Sequence, residues 1–307
     1  MKKTVDIVIP TFKPDEKFHN LMQMLFKQTY QIGRILVMNT DASLFPKEGY
    51  DKLPNVEIRH LPREEFDHGG TRDRAACLLD GDIILFMTQD AVPADERLVE
   101  RLAACFEDPG IGAAYARQLP CEDCSIVEKY TRSFNYPGQS RIKSKEELQE
   151  MGIKTFFCSN VCAAYSRSWY EKLGGFEKHT IFNEDMIFAG RLIQAGAKIA
   201  YAADAKVVHS HNYGCLEQFH RNFDMGVSQA DHPEVFGMAR SESEGIKLVK
   251  QTASYLCKIH KPWLIFDLVL KSGFKFLGYR MGKAYKKLPK WLVLKCTMNR
   301  HYFCGHQ

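Results

Sequence analysis

Two acids, Glu184 and Asp185, stand side by side in "FNEDMIFAGRL", directly before an apolar run with helical spacing. Carboxylates in a first turn complement the helix dipole. Alternatively, one is a general base that takes a proton from a hydroxyl while its neighbour orients or tunes it. A third acid, Asp90, closes the strand-like "IILFMTQD". There it can hold a divalent cation against phosphate oxygens, or merely cap the next helix, which Asp95 would do better. His209 and His211 flank Ser210, and alternation in an extended segment puts both on one face. Neutral imidazole there either supplies nitrogen to an oxygen-rich metal site or forms a hydrogen-bonded surface pair. One acid and one histidine are too few for a dedicated cage; they suit Mg2+ or Mn2+ shared with a diphosphate.

The stretch "EEFDHGGTRDRA", residues 64–75, concentrates charge around paired glycines just before a helical pattern. Gly69 and Gly70 let the backbone approach a ligand or adopt positive φ. Arg72 can fork onto a phosphate or hold a carboxylate. Asp67, His68 and Asp73 offer partners to hydroxyls or a base edge. The chain has neither a Walker glycine-lysine sequence nor GxGxxG, so the usual NTPase and dinucleotide readings fail. Cys121 and Cys124 form a CxxC, but no second pair stands at zinc spacing.

These residues need elements to position them. "VDIVIP", "RILVMN", "VEIRHL" and "GDIILFMTQD" read as buried strands, alternating with helical segments such as "DEKFHNLMQMLFKQT". That alternation predicts an α/β unit with a mostly parallel sheet. Ligands in such sheets collect beyond the carboxyl ends of the strands, which selects Thr11–Lys13, Asn39–Ser43, Asp67–Asp73 and Thr88–Asp90. "ADERLVERLAACFEDP" and "LEQFHRNFDMGVSQA" predict amphipathic helices, and "TFFCSNVCAAYSR" a strand. "KIAYAADAKVVHSH" reads as edge strands with a turn between them. Residues 121–155 carry no clean period and predict long loops with a short helix.

The 307 residues and 45% hydrophobic content support a real core. Ten cysteines without a secretory signal indicate a reducing, cytoplasmic compartment. The net charge of +5 hides an asymmetry: residues 247–307 carry thirteen Lys and Arg against one acid, Asp267, and the rest is acidic overall. From Trp263 onward, large apolar residues mix with lysines, and no apolar stretch is long enough to span a bilayer. Trp263, Ile265, Phe266, Val269, Leu270, Phe274, Leu277 and Met281 form one greasy stripe if helical, with Lys271, Lys275, Lys283, Lys286 and Lys287 near its edges. Such a helix rests in a membrane interface with its lysines on anionic headgroups. The plainer alternatives are a helix packed on the domain with a solvated basic face, or a dimer interface. Nucleic acid is a weaker explanation, because the acidic body offers no continuous positive channel.

Taken in order, "VDIVIPTFKP", "QTYQIGRILVMNTDAS", "EEFDHGGTRDRA", "ILFMTQDAVP", "RSFNYPGQS", "FFCSNVCAAYSR", "FNEDMIFAGRL" and "HSHNY" resemble the family 2, GT-A-type glycosyltransferases, and within them the bacterial rhamnosyltransferases. The resemblance implies a nucleotide-diphospho-sugar-binding α/β domain over residues 1–245. A basic amphipathic helical tail, 246–307, follows it. Asp90 matches the last carboxylate of the family's metal-binding motif, with Thr88 at its first position. Asp185 matches the catalytic base, Glu184 its neighbour, and His211, or else His209, the late metal ligand. Asn39 stands where the family usually has a base-holding aspartate; Asp41 is the candidate substitute. The implied substrate site draws on Pro10, Thr11, Asn39, Asp41, Asp67, His68, Gly69, Gly70, Arg72, Asp73, Gln89 and Asn160. The implied reaction is inverting, uses Mn2+ or Mg2+, and moves rhamnose from dTDP-β-L-rhamnose to a lipid-linked glycan at the inner membrane face. A UDP-hexose or UDP-N-acetylhexosamine donor, or a non-catalytic nucleotide-sugar scaffold, is the alternative; homo-oligomerisation stays open.

Overall fold

The computed structural model describes residues 2–46, 49–50, 53, 55–238 and 242–304. Its centre is a nine-stranded sheet. The strands are β1 (Val5–Phe12), β2 (Ile32–Thr40), β3 (Val56–Leu61), β4 (Ile83–Met87), β5 (Val92–Pro93), β6 (Ile111–Leu119), β7 (Arg141–Lys143), β8 (Cys162–Ser166) and β9 (Lys198–Val208). The spatial order is β3-β2-β1-β4-β8-β6-β9-β5, with β7 also paired to β9. Strands β3, β2, β1, β4, β6 and β9 run one way; β8 runs against both β4 and β6, and the short β5 and β7 run against β9. The sheet is therefore mostly parallel, with a reversed strand near its middle.

The first half alternates strands with helices α1 (Glu16–Phe26), α2 (His68–Ala76) and α3 (Leu98–Ala104). In α1, Phe18, Leu21, Met22 and Leu25 are buried at the i, i+3, i+4, i+7 spacing that builds one apolar face. Its first turn is held by Asp15, which accepts from the Lys17 amide. Two apolar layers cover the sheet. One joins α1 and α3 to the inward residues of β1, β2 and β4, and the other joins α2 to the alternate residues of those strands. Strand residues such as Ile7 and Val8 thus serve opposite layers, as a period of two requires.

Three expectations are revised. "KIAYAADAKVVHSH" is one continuous strand, β9, flanked by β6 and by β5 and β7 rather than two edge strands. Its register against β6 jumps between Ala202 and Lys206, so the sequence break marks a bulge and leaves Asp204 exposed. "TFFCSNVCAAYSR" becomes a strand only at Cys162; Gly152–Phe156 is a 3-10 turn, and the irregular link between them carries Asn160. Residues 121–155 contain a full helix, α4 (Ile126–Asn135), capped by Ser125. None of its residues is fully buried. Helices α5 (Leu148–Met151), α6 (Arg167–Lys172), α7 (Glu184–Gln194), α8 (Cys215–Asp231) and α9 (Pro233–Phe236) complete the body.

The basic segment forms α10 (Glu242–Lys258), α11 (Leu264–Lys283), α12 (Lys290–Cys296) and α13 (Arg300–Cys304). The expected boundary at residue 245 falls inside α10. Helix α11 lies directly on α8. A Cβ at Gly278 or Gly282 would overlap the carbonyl oxygen of Phe219 or Phe223, and one at Gly226 that of Tyr279. Glycine is required there because two helix backbones touch. Tyr285 Oη donates to Asp231 at 2.7 Å, and Thr297 Oγ1 to Asp224 at 2.6 Å. Val293 and Cys296 of α12 share a small core with Phe223 and Val227. Packing on the body accounts for one face of α11. Its other face exposes Trp263, Phe266, Val269, Leu270, Phe276 and Leu277.

Candidate active site

Every parallel strand of the body delivers its carboxyl end to one edge of the sheet, and the chemistry-bearing residues gather there. Asp90 follows β4, and His209 and His211 follow β9. The nearest donor atoms of these three lie within 4.8 Å of one another. His211 Nε2 is 3.2 Å and His209 Nε2 3.5 Å from Asp90 Oδ2, and the two Nε2 atoms are 3.1 Å apart. Burial would push the Asp90 carboxyl up, but the His211 hydrogen bond and both imidazoles hold it well below the usual range. Burial drives His209 down to about 3 despite Asp90 beside it, so its ring is neutral and its lone pair available. The sequence offered one histidine with a second in reserve; the fold brings both together.

Two supports of this cluster escaped the sequence reading. Gln118, buried near the end of β6, presents Oε1 to His209 Nδ1 at 3.1 Å. An amide carbonyl there requires Nδ1 to carry the proton and turns the Nε2 lone pair toward Asp90. The same oxygen accepts from Arg132, and Gln118 Nε2 donates to Ser159 Oγ at 3.1 Å. The signal was a polar residue ending the strand "IGAAYARQL", but glutamine has no distinctive motif. The second support is the CxxC. The Cys121 amide donates to Ser210 Oγ at 2.8 Å, and Cys124 Sγ lies 2.7 Å from the same oxygen. The Cys121–Cys124 turn thus fastens the residue between the two histidines, with both thiols free.

The acidic pair opens α7 behind Asn183, which sits at φ 64°, a left-handed conformation rare for a non-glycine residue. Asp185 Oδ2 accepts from the Asn160 amide at 3.0 Å, and Oδ1 from its neighbour Met186 at 2.7 Å. Glu184 is buried. Its Oε1 accepts from Asn160 Nδ2 at 3.1 Å and pairs with Arg72 Nη1 at 3.2 Å. Tyr165 Oη donates to Asn160 Oδ1 at 2.9 Å, so the asparagine is a fixed bracket for both acids. Burial alone would raise Glu184, but Arg72, then His68 and Asn160, keep it below its ordinary value. Asp185 is only partly covered, and burial followed by the charge of Glu184 lifts it to about 7. One carboxylate is thus held ionised while its neighbour titrates near neutrality, the separation a general base needs.

The opening motif is placed differently from its reading as a loop. His68 starts α2, with Asp67 as its N-cap accepting from the Gly70 amide. Neither Gly69 nor Gly70 has positive φ. A Cβ on Gly69 would strike the Glu177 carbonyl, so the close approach is to this chain itself. Arg72 is buried against Glu184 and the His68 carbonyl, so of its two expected roles this geometry has it holding a carboxylate. Asp73 accepts from Tyr170 Oη at 3.0 Å in the core beside Gly175, and pairs with Lys178 at 3.6 Å. His68, edge-on to Phe66 and tilted against Phe182, is pushed down to about 4 by burial and remains neutral.

At the other strand ends, Thr11 Oγ1 donates to Asn39 Oδ1 at 3.0 Å, and Asn39 Nδ2 reaches the Asp41 carbonyl and His60 Nδ1, each at 3.0 Å. Asn39 therefore braces the tips of β1, β2 and β3, and Asp41 is the acid left partly exposed there. Asp41 accepts from the Ser43 amide and hydroxyl, which keep it ionised below its ordinary value. Gln89 ties β4 to β1 by bonding both backbone groups of Phe12, at 2.8 and 3.1 Å. Pro10 pairs with Met38 beyond the last β1–β4 partner, Val8, where its missing N–H costs no ladder bond.

A carboxylate and two imidazoles close enough to hold a metal ion thus share the sheet edge with an acid pair, one member held ionised and the other titrating near neutrality. The chain belongs to glycosyl transferase family 2, whose sequence model matches residues 6–174, and it is a glycosyltransferase. Over nearly its whole length it is similar to the O-antigen chain rhamnosyltransferase RfbN of Salmonella typhimurium, at 40% identity over 303 residues, 97% of this chain and 96% of that one. It is also 39% identical to the O-antigen chain rhamnosyltransferase WbaN of Salmonella anatum, over 97% of this chain and 95% of the relative. Solved structures share the fold at low identity. The mannosyltransferase PcManGT of Pyrobaculum calidifontis, in complex with GDP-Man and Mn2+, superposes with a TM-score of 0.56 at 14% identity, covering 99% of this chain and 86% of that one. TarS 1-349 of S. aureus, in complex with UDP-GlcNAc, gives 0.53 at 13% identity, covering 92% of each chain.

Proposed function

We propose that this chain transfers L-rhamnose from dTDP-β-L-rhamnose, with inversion, to a hydroxyl of a lipid-linked cell-surface polysaccharide precursor. The observation that carries the sugar and acceptor class is the 40% identity to an O-antigen chain rhamnosyltransferase along almost the entire chain. Asp185 accepts the acceptor hydroxyl proton as the oxygen attacks the anomeric carbon; the sugar–phosphate bond breaks and the diphosphate leaves with the electron pair. Glu184, held ionised by Arg72, keeps the proton affinity of Asp185 high enough for that task. Asn160 holds both carboxylates in register. A single base without an enzymatic nucleophile implies a single displacement, hence inversion.

Asp90, His209 and His211 fit a divalent cation: one oxygen and two nitrogen donors converge, and Gln118 sets one imidazole's tautomer. Two nitrogens favour Mn2+ over Mg2+, which prefers oxygen. Such a cation would supply positive charge to the departing diphosphate.

The body through residue 245 is the catalytic unit in this reading, and 246–307 a membrane-facing element built onto it. No helix among the described residues is long and apolar enough to cross a membrane. The exposed apolar face of α11, within a segment carrying thirteen basic residues, matches an anionic lipid surface. In this reading the enzyme works on the inner face of the cytoplasmic membrane, where a lipid-linked acceptor would lie.

The test is nucleoside diphosphate release from a panel of dTDP-, UDP- and GDP-sugars with Mn2+ and acceptor lipid. Release from dTDP-rhamnose is expected. Preference for a UDP-sugar would overturn the donor. A separate sedimentation assay with anionic vesicles tests the tail: Phe266→Asp with Leu277→Asp should leave the protein in the supernatant, and undiminished binding would overturn the lipid assignment.

A further inference from the structure

The cysteine pair takes no part in the chemistry above, yet it is built onto the histidine segment. Between the end of β9 at Val208 and the start of α8 at Cys215, residues 209–214 have no regular structure. His211 is therefore positioned through its flanks, and both flanks are bonded to one short stretch, Cys121–Ser125. On one side, Ser210 Oγ meets the Cys121 amide at 2.8 Å and Cys124 Sγ at 2.7 Å. On the other, Asn212 Oδ1 accepts from the Ser125 amide at 3.1 Å, and Asn212 Nδ2 donates to the Asp123 carbonyl at 3.4 Å. These contacts clasp His211 from a stretch 86–89 residues earlier in the chain.

The same stretch can close on itself. The Cys124 amide donates to the Cys121 carbonyl at 3.2 Å, so the two cysteines are the ends of a four-residue turn. The ends of such a turn lie within about 7 Å of each other, close to the separation of roughly 4.4–6.8 Å that a disulfide spans. Both thiols are free. Cys121 is partly exposed and open to a reagent, whereas Cys124 is buried against Ser210. One thiol is thus placed to be attacked from solvent and the other to resolve the product.

We infer that Cys121 and Cys124 are an oxidisable pair whose disulfide loosens the segment carrying His209 and His211. The oxidant is a small disulfide. The Cys121 sulfur loses its proton and attacks it; one half leaves as a thiol, and a mixed disulfide remains. Cys124 then attacks the Cys121 sulfur, and the second half leaves as a thiol. The two cysteines give up two electrons and two protons, which the small disulfide gains. In the product the Cys124 sulfur carries no proton and is drawn from Ser210 toward Cys121, so the clasp loses its thiol contact. In a reducing compartment the pair stays open, and bridges that form there are transient. That the loosened segment carries metal ligands rests on the cation reading above; the loosening itself does not.

The probe is oxidised glutathione, applied to the full chain without metal and reversed with dithiothreitol. Peptide mapping after alkylation should find Cys121 and Cys124 joined, their peptide lighter by two hydrogens. Amide hydrogen exchange across residues 209–214 should then quicken. Mn2+ affinity, titrated by electron paramagnetic resonance, should fall about tenfold. Dithiothreitol should restore both. Cys121→Ser keeps the amide bond to Ser210 but cannot form the bridge, and Cys124→Ser keeps a hydroxyl opposite Ser210. Both variants retain the exposed Cys77, Cys257 and Cys304, and neither should change its exchange or its affinity on oxidation. The switch is wrong if the bridge does not form, or if the bridged chain exchanges as the open one does. It is equally wrong if a measurable Mn2+ affinity is untouched by the bridge, or if the serine variants respond as the parent does. Quickened exchange in a chain that binds Mn2+ in neither form would remove the cation assignment and leave the switch standing.

Discussion

Replacing Asp185 by Asn should uncouple stability from turnover. The fold raises Asp185 to about 7 from the usual 3.8, through burial and then the charge of Glu184. The protonated form is therefore the one the fold favours. Stability associated with that proton is fully present below about pH 4 and is lost as the pH rises to about 7. The amide does not titrate and adds no second negative charge beside Glu184, so it should gain relative to the parent over that window. Against this stands a mismatch: Asp185 accepts from two backbone amides, at Asn160 and Met186, and an asparagine can accept at only one side-chain atom. A buried amide left facing the wrong group costs about 1–3 kcal/mol. The two effects oppose each other, so chemical denaturation at pH 8 should find the variant within about 3 kcal/mol of the parent. Turnover should behave otherwise. Losing a general base costs about 10²- to 10⁴-fold, or roughly 3–5 kcal/mol in the barrier. The parent kcat should rise with pH through about 7 as Asp185 loses its proton, and the variant should lack that limb. A variant turning over within threefold of the parent, or keeping the same acid limb, would refute the assignment.

Arg72→Met should leave Glu184 buried without its cation, costing about 3–5 kcal/mol by denaturant unfolding; a stable variant with only a raised donor KM would instead return Arg72 to the phosphate. Gln118→Leu should free the His209 ring and weaken Mn2+ binding about 10- to 100-fold by spectroscopic titration, and unchanged affinity would remove its orienting role. Gly278→Ala should separate α11 from α8, costing on the order of 1–3 kcal/mol and lowering the melting temperature by several degrees. An unshifted melting curve would show that the contact yields freely.

The sequence made the residue types plain more readily than their employment. Asp90, His209 and His211 were visible as potential ligands because short segments already specify them: a strand tip in one case, alternation in the other. The partner that sets the His209 tautomer was not visible, because Gln118 acts from a strand some ninety residues away. Local pattern left the partners of the opening motif open for the same reason. Its glycines and charges suit a ligand loop, yet Gly69 accommodates the chain at Glu177, Asp73 answers Tyr170, and Arg72 answers Glu184. The cysteine pair, a poor metal motif by spacing, serves as a turn bound to Ser210.

The sequence by itself determined the alternating α/β order, the strand-end location of the polar segments, the charge division between body and tail, and the family. Each is carried by periodicity, composition or contiguous motif, all of which are local in the chain. Tertiary structure alone decided which charges are spent internally and which remain open. Arg72 is neutralised by an acid more than a hundred residues away, whereas Lys275, on a helix whose glycines press it against α8, has no ion-pair partner among the described residues. The physical reason is that a charge's role depends on its nearest opposite charge and its exposure to water, and distance through space is set only when the chain folds.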